Sequence, residues 1–143
     1  MEFVVSDVLS ADARAIREEV FMREQGYVDE FDAIDARAFH LVLYVDGAAA
    51  GCCRFFAGDA PGEWILGRVA VRAPLRRRGY AEMIVREAVA RMKELGATSI
   101  RLGAQEYATG LYEKCGFVPC GPVYLDEGNP HVPMCLRLPH SGK

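Results

Sequence analysis

A change of hydrophobic period between residues 64 and 103 constrains this chain more than any other feature. Trp64 to Val71 reads as a β-strand, and residues 79 to 95 then place Ala81, Ile84, Val85, Ala88, Met92 and Leu95 three and four apart. That spacing marks one face of an α-helix. Glu82/Arg86 and Glu87/Arg91 stand four apart outside it, and Gly96 follows as a stop. Ser99 to Gly103 is a further short strand. Strand, long helix, strand implies a parallel crossover, so the chain needs a sheet with a helix laid across it.

The other segments supply the rest of that sheet. Ala13, Ile16, Val20 and Phe21 predict a helix over 11–24 behind Ser10 as a cap. Strands are expected at 39–45 and 49–57, joined by Asp46-Gly47, the usual signal of a tight hairpin. A short helix over 106–114 ends at Gly116, and 117–123 and 132–138 read as closing strands. The fold class expected is α/β, a mixed sheet with helices on its faces. No linker or repeat divides the chain, so one domain is expected over residues 1–139, with a short polar tail at 140–143. A chain of 143 residues, 51% of them hydrophobic, buries enough surface to need neither disulfide nor structural metal.

The 17 Lys and Arg against 20 Asp and Glu give a net charge of −3, which argues against a nucleic-acid binder relying on overall basic charge. Cys52, Cys53, Cys115, Cys120 and Cys135 are odd in number and form no CxxC pair. Neither a disulfide framework nor a zinc site is suggested, and all five read as packing residues in a reducing cytoplasm. The start, MEFVVSDVLS, lacks a basic leader, and no segment approaches the roughly 18 apolar residues of a membrane span. A soluble, unexported protein with no membrane partner is expected.

Arg76-Arg77-Arg78-Gly79-Tyr80-Ala81 opens the long helix against the sign of its dipole, which favours acidic residues there. Gly79 and Ala81 let backbone N–H groups approach a ligand, and a helix start of this kind is a phosphate site. The spacing fits neither a Walker loop nor a dinucleotide fingerprint, and a solvated basic helix start is the other reading.

Leu66-Gly67-Arg68-Val69-Ala70-Val71, followed by Arg76-x-x-Gly79-x-Ala81, resembles motif A of the GNAT superfamily of N-acetyltransferases. Ala104-Gln105-x-x-Ala108-x-x-x-Tyr112-Glu113-Lys114-x-Gly116-Phe117 resembles its motif B. Val20-Phe21-x-x-Glu24-Gln25, Asp32, Asp35, His40 and the run from Tyr124 through Asp126 and His131 to Met134 resemble the ElaA/YjcF-like branch. Arg77, Ala81 and Asn129 depart from the commonest residues of that pattern.

The resemblance implies a three-layer fold whose central sheet is mixed, mostly antiparallel and splayed between its fourth and fifth strands. It implies acetyl-CoA as cosubstrate and no metal. The pyrophosphate would lie on the loop Arg76, Arg77, Arg78, Gly79, Tyr80 and Ala81, and the pantetheine along Val69, Ala70 and Val71. A backbone N–H near Val69 or Ala70 would polarise the thioester carbonyl. Tyr112 would meet the cofactor and protonate its departing thiolate.

A primary amine, protonated at neutral pH, must lose a proton before it attacks, and His131, Glu24 and Asp126 are the bases implied. The acceptor implied is a small-molecule amine, with a homodimer as the family's common assembly. A non-catalytic CoA-binding sensor or interaction module of the same fold is the alternative. The acidic stretch 18–35, with Glu18, Glu19, Glu24, Asp29, Glu30, Asp32 and Asp35, either borders the site of a cationic amine or is a solvated loop.

Overall fold

The computed structural model describes residues 1–28 and 30–139, so Asp29 and the expected tail at 140–143 lie outside the described residues. The strands run β1 (Glu2–Ser6), β2 (Phe39–Val45), β3 (Ala48–Ala57), β4 (Glu63–Val71), β5 (Ser99–Gln105), β6 (Val118–Pro119), β7 (Tyr124–Asp126) and β8 (Asn129–Arg137). Their order across one sheet is β1-β2-β3-β4-β5-β8-β6, with β7 also paired to β8. Every pairing is antiparallel except β4 with β5. The helices are α1 (Ala11–Arg17), α2 (Tyr80–Glu94) and α3 (Thr109–Lys114).

Three layers follow from strand alternation. Leu41, Leu43 and Cys53 face Ile84, Val85, Ala88 and Met92 of α2, while Val42 and Cys52 face Ala13 and Ile16 of α1. Adjacent Cys52 and Cys53 therefore point to opposite sides of the sheet, as the period of two requires. Burial pushes the Cys52 thiol up to about 12 and raises the Cys53 thiol as well, so both are inert packing groups.

Several local expectations hold. The Ser10 side chain accepts from the Ala13 N–H at 3.1 Å. Asp46 and Gly47 both have positive φ, 53° and 81°, the geometry of a two-residue hairpin turn. Others are corrected. The first helix is α-helical only to Arg17 and continues through Glu24 as π-helix, a wider turn that buries neighbouring Val20 and Phe21 together. The expected strand at 117–123 stops at Pro119, where the ladder loses an N–H donor, and resumes as β7 after Gly121-Pro122. The last strand starts at Asn129, because Glu127-Gly128, with φ of 48° and 82°, makes a second tight turn.

Edge strand β1 was not foreseen from the sequence. Nor was the Cys120–Cys135 disulfide, which corrects the reading of all five cysteines as packing groups. Pairing of β6 with β8 brings their Cα atoms to 5.9 Å, a proximity that spacing along the chain does not show.

Candidate active site

Strands β4 and β5 pair only from Glu63–Ile65 to Ser99–Arg101 and then diverge. The gap opens a cleft of about 860 Å³ through the sheet, lined on one wall by Leu66 to Val71 and on the other by Leu102, Gly103 and Gln105. Within β4 the register slips: Cys52 faces Ala70 and Arg54 faces Gly67, so Arg68 and Val69 together oppose Cys53. Arg68 takes φ +55° in this bulge. A bulge lifts backbone groups out of the ladder.

The strain at Arg68 is held from below. Its Nε donates to a Glu30 carboxylate oxygen at 2.9 Å and its Nη2 to the Glu30 carbonyl at 3.1 Å. Glu30 in turn accepts from Arg17 Nε at 2.7 Å. Arg17, 1% exposed, also reaches both carboxylate oxygens of Asp35, at 2.8 and 3.1 Å, and Arg54 donates to Asp35 and Asp32 at 2.9 and 2.7 Å. Burial raises Glu30 against these partners. At Asp35 burial also acts upward, but the Arg17 hydrogen bonds and the Asp32 N–H overcome it and hold the carboxyl far below its usual range.

The acidic stretch is therefore neither a solvated loop nor an open cation site at Glu30, Asp32 and Asp35. These carboxylates are spent on arginines that sequence reading did not pair with them. The missed signal was the buried position of Arg17 and Arg54, on α1 and on the central strand β3, where an unpaired charge would be costly.

At the other end, Gly79 caps α2 with φ +83° and no side chain caps the helix. The first helical N–H with a backbone acceptor is that of Met83, on the Gly79 carbonyl at 3.1 Å. The earlier N–H groups are left free, as at any helix start, and Arg77 with φ +66° turns the chain around them. Arg77 and Arg78 are exposed with no ion pair among the described residues. Arg76 behaves differently: its Nη2 donates to Glu24 at 2.7 Å and its Nε to the Val71 carbonyl at 2.8 Å. Those Arg76 hydrogen bonds hold the Glu24 carboxyl below its usual range. Tyr80 and Ala81 are half-buried against the core.

Tyr112 lies on α3, 8% exposed, with its ring edge-on to Phe117 and its side chain on the cleft. Burial drives its phenol well above the usual tyrosine value, so it keeps its proton. His131 on β8 is 7% exposed and also lines the cleft. Its Nδ1 lies 2.9 Å from the Asn129 carbonyl oxygen, which can only accept, so Nδ1 carries the proton and Nε2 keeps a lone pair in the neutral ring. Its ring stacks on Tyr124 at 5.6 Å. Asp126 is exposed at the cleft rim.

Thus Val69, Ala70, Val71, Arg76, Ala81, Tyr112, His131, Glu24 and Asp126 meet on one cleft. Residues 6–117 match the family model described as the acetyltransferase (GNAT) family. The chain belongs to the GNAT acetyltransferase family. It is an acyltransferase of that family.

The Bacillus subtilis protein YyaT is 31% identical over 132 residues, covering 89% of this chain and 88% of its own. Escherichia coli ElaA superposes with a TM-score of 0.83 at 22% identity, over 95% of this chain and 99% of that one. An acyl-CoA N-acyltransferase from Pseudomonas aeruginosa gives 0.81 at 25% identity, over 95% and 99%. The GNAT fold accounts for the splay and the mixed sheet together. No helix among the described residues is long and apolar enough to cross a membrane.

Proposed function

We propose that the protein transfers an acetyl group from acetyl-CoA to a primary amine by direct attack within a ternary complex. The observation that carries the reading is the meeting, on one cleft, of a bulged strand, an uncapped helix start, a protonated phenol and a histidine with a free Nε2.

The residues present fit that cosubstrate. The free N–H groups from Arg77 to Ala81 and the exposed Arg77 and Arg78 suit a pyrophosphate, and Gly79 at positive φ keeps side-chain bulk off that path. The splayed edge of Val69 to Val71 offers main-chain donors and acceptors to an amide-bearing arm. Bound there, acetyl-CoA supplies an activated thioester. The bulge N–H at Val69 or Ala70 would donate to the carbonyl oxygen as negative charge builds on it. His131 Nε2 would take the proton from the attacking amine, directly or through one water. Tyr112 would give its proton to the sulfur as the carbon–sulfur bond breaks. Glu24, held by Arg76, ties the acceptor-side segment to the phosphate loop and is the weaker choice of base.

Thiol release from acetyl-CoA over a panel of amines tests the reading, and turnover with at least one amine is expected. A non-catalytic CoA sensor would bind without turnover. Saturating acetyl-CoA should stabilise the fold in either case, by about 2.7 kcal/mol at a hundred times Kd. Absence of any thermal shift in folded protein would remove the cosubstrate from both.

A further inference from the structure

Strand β4 carries its strain on the less suited of two neighbours. Arg68, at φ +55°, is the one non-glycine residue inside a strand that takes the left-handed conformation among the described residues; Asp46, Arg77 and Glu127 take it in turns and loops. Gly67 beside it could adopt that conformation freely, yet does not use it. A side chain disfavours left-handed backbone, so the bulge persists only where contacts outside the strand hold it.

Glu30 supplies those contacts. Its Oε2 accepts from Arg68 Nε at 2.9 Å and from Arg17 Nε at 2.7 Å, and its carbonyl accepts from Arg68 Nη2 at 3.1 Å. Two points of attachment fix the direction of the Arg68 side chain as well as neutralising it. Glu30 is 4% exposed, and Arg17 is tied in turn to both carboxylate oxygens of Asp35. The anchor is thus rooted in α1, while Arg68 and Val69 form part of the cleft wall. The peptide that joins those two residues is planar, so the conformation of Arg68 sets the direction of the Val69 N–H.

We propose that the Glu30–Arg68 pair is a positioning device for acyl transfer: it holds Arg68 left-handed and so keeps the Val69 N–H aimed at the thioester carbonyl oxygen. This rests on the acetyltransferase reading above. It singles out Val69 over Ala70, which is back in register opposite Cys52. Glu30 acts on that N–H only through Arg68.

Arg68→Ala and Arg68→Gly remove the same guanidinium and leave Glu30 on Arg17. They differ in whether residue 68 reaches positive φ unaided. Infrared spectra of each protein with acetyl-CoA, carbon-13 labelled at the thioester carbonyl, read the donor directly, since donation to the oxygen lowers the stretching frequency. The stretch should lie below its free value in the native protein and in Arg68→Gly, and return toward it in Arg68→Ala. With the amine that releases most CoA in the panel, kcat should fall about tenfold in Arg68→Ala, the scale on which a side chain resists left-handed backbone, and about threefold or less in Arg68→Gly. KM for acetyl-CoA should change little in either. Glu30→Gln should lower kcat in the native background and have little further effect in Arg68→Gly. Where Glu30→Gln does not fold, the two Arg68 variants decide.

Equal losses in the two Arg68 variants would assign the effect to the guanidinium itself and overturn the proposal, as would an unchanged stretch and kcat in Arg68→Ala. If no amine releases CoA, the acetyltransferase reading fails by itself and the infrared comparison still decides. A stretch lowered in the native protein and in Arg68→Gly but not in Arg68→Ala upholds the aimed N–H, and one unshifted in the native complex overturns it.

Discussion

His131 Nδ1 donates to the carbonyl oxygen of Asn129 at 2.9 Å, two residues back along the same strand, β8. That bond fixes the ring's tautomer and leaves Nε2 as the acceptor on a cleft-lining side chain. Replacing His131 with Ala should lower kcat/KM by about a hundredfold, the lower end for general base catalysis. Without that base the rate should depend on amine that is already free, so kcat/KM of the variant should climb with pH and partly recover at high pH. A loss of the same size at every pH would return His131 to a purely structural role.

Tyr112→Phe keeps the edge-on contact with Phe117 and removes only the hydroxyl. CoA affinity should stay within a few-fold while kcat falls by about tenfold to a hundredfold, since a thiol leaving group needs modest acid assistance. Burial keeps this phenol protonated across the neutral range, so no new ionisation should enter the wild-type profile from Tyr112. Steady-state kinetics beside CoA titration separates the two quantities, and an unchanged kcat would reject Tyr112 as the acid.

Gly79 adopts φ +83° at the start of α2, where a side chain would have open space but a strained backbone. Gly79→Val should weaken CoA more than Arg78→Ala, because the former bends the N–H groups away and the latter removes one exposed cation. Calorimetry with CoA ranks the two, and equal losses would assign the affinity to the arginine side chains.

Asp35→Asn should destabilise the fold by about 3 kcal/mol, since it leaves buried Arg17 and Arg54 short of a countercharge. The Asp35 carboxyl is held low in the folded state, so its contribution is complete above the ordinary aspartate range near pH 3.9 and drains away as pH falls below it. Asp32, held low chiefly by Arg54, acts in the same direction. Urea unfolding at pH 7 and at lower pH should show the variant losing less on acidification than the native chain. Parallel pH dependences would show that Asp35 is not the linked group.

Period and punctuation alone determined much of this protein. The helix of α2, the Asp46-Gly47 hairpin, the Ser10 cap and the crossover between β4 and β5 are local, set by residues within a few positions of one another. Motif spacing singled out Val69, Ala70, Val71, Arg76, Ala81 and Tyr112, which the fold gathers along one cleft.

Relations between distant segments were decided only in the tertiary structure. Arg17 meets Glu30 and Asp35, Arg68 meets Glu30 beneath a bulge, and Glu24 meets Arg76. Cys120 meets Cys135 because β6 lies beside β8. The stretch 18–35 looks like one acidic surface in sequence, yet its charge is cancelled wherever a buried arginine reaches it. Of the carboxylates that line the cleft, Glu24 and Glu30 are paired and Asp126 and Glu127 are not, among the described residues. Burial is the physical reason: removing an ion from water is costly, so the fold pairs its interior charges across the sheet, while exposed ones can stay unpaired in water.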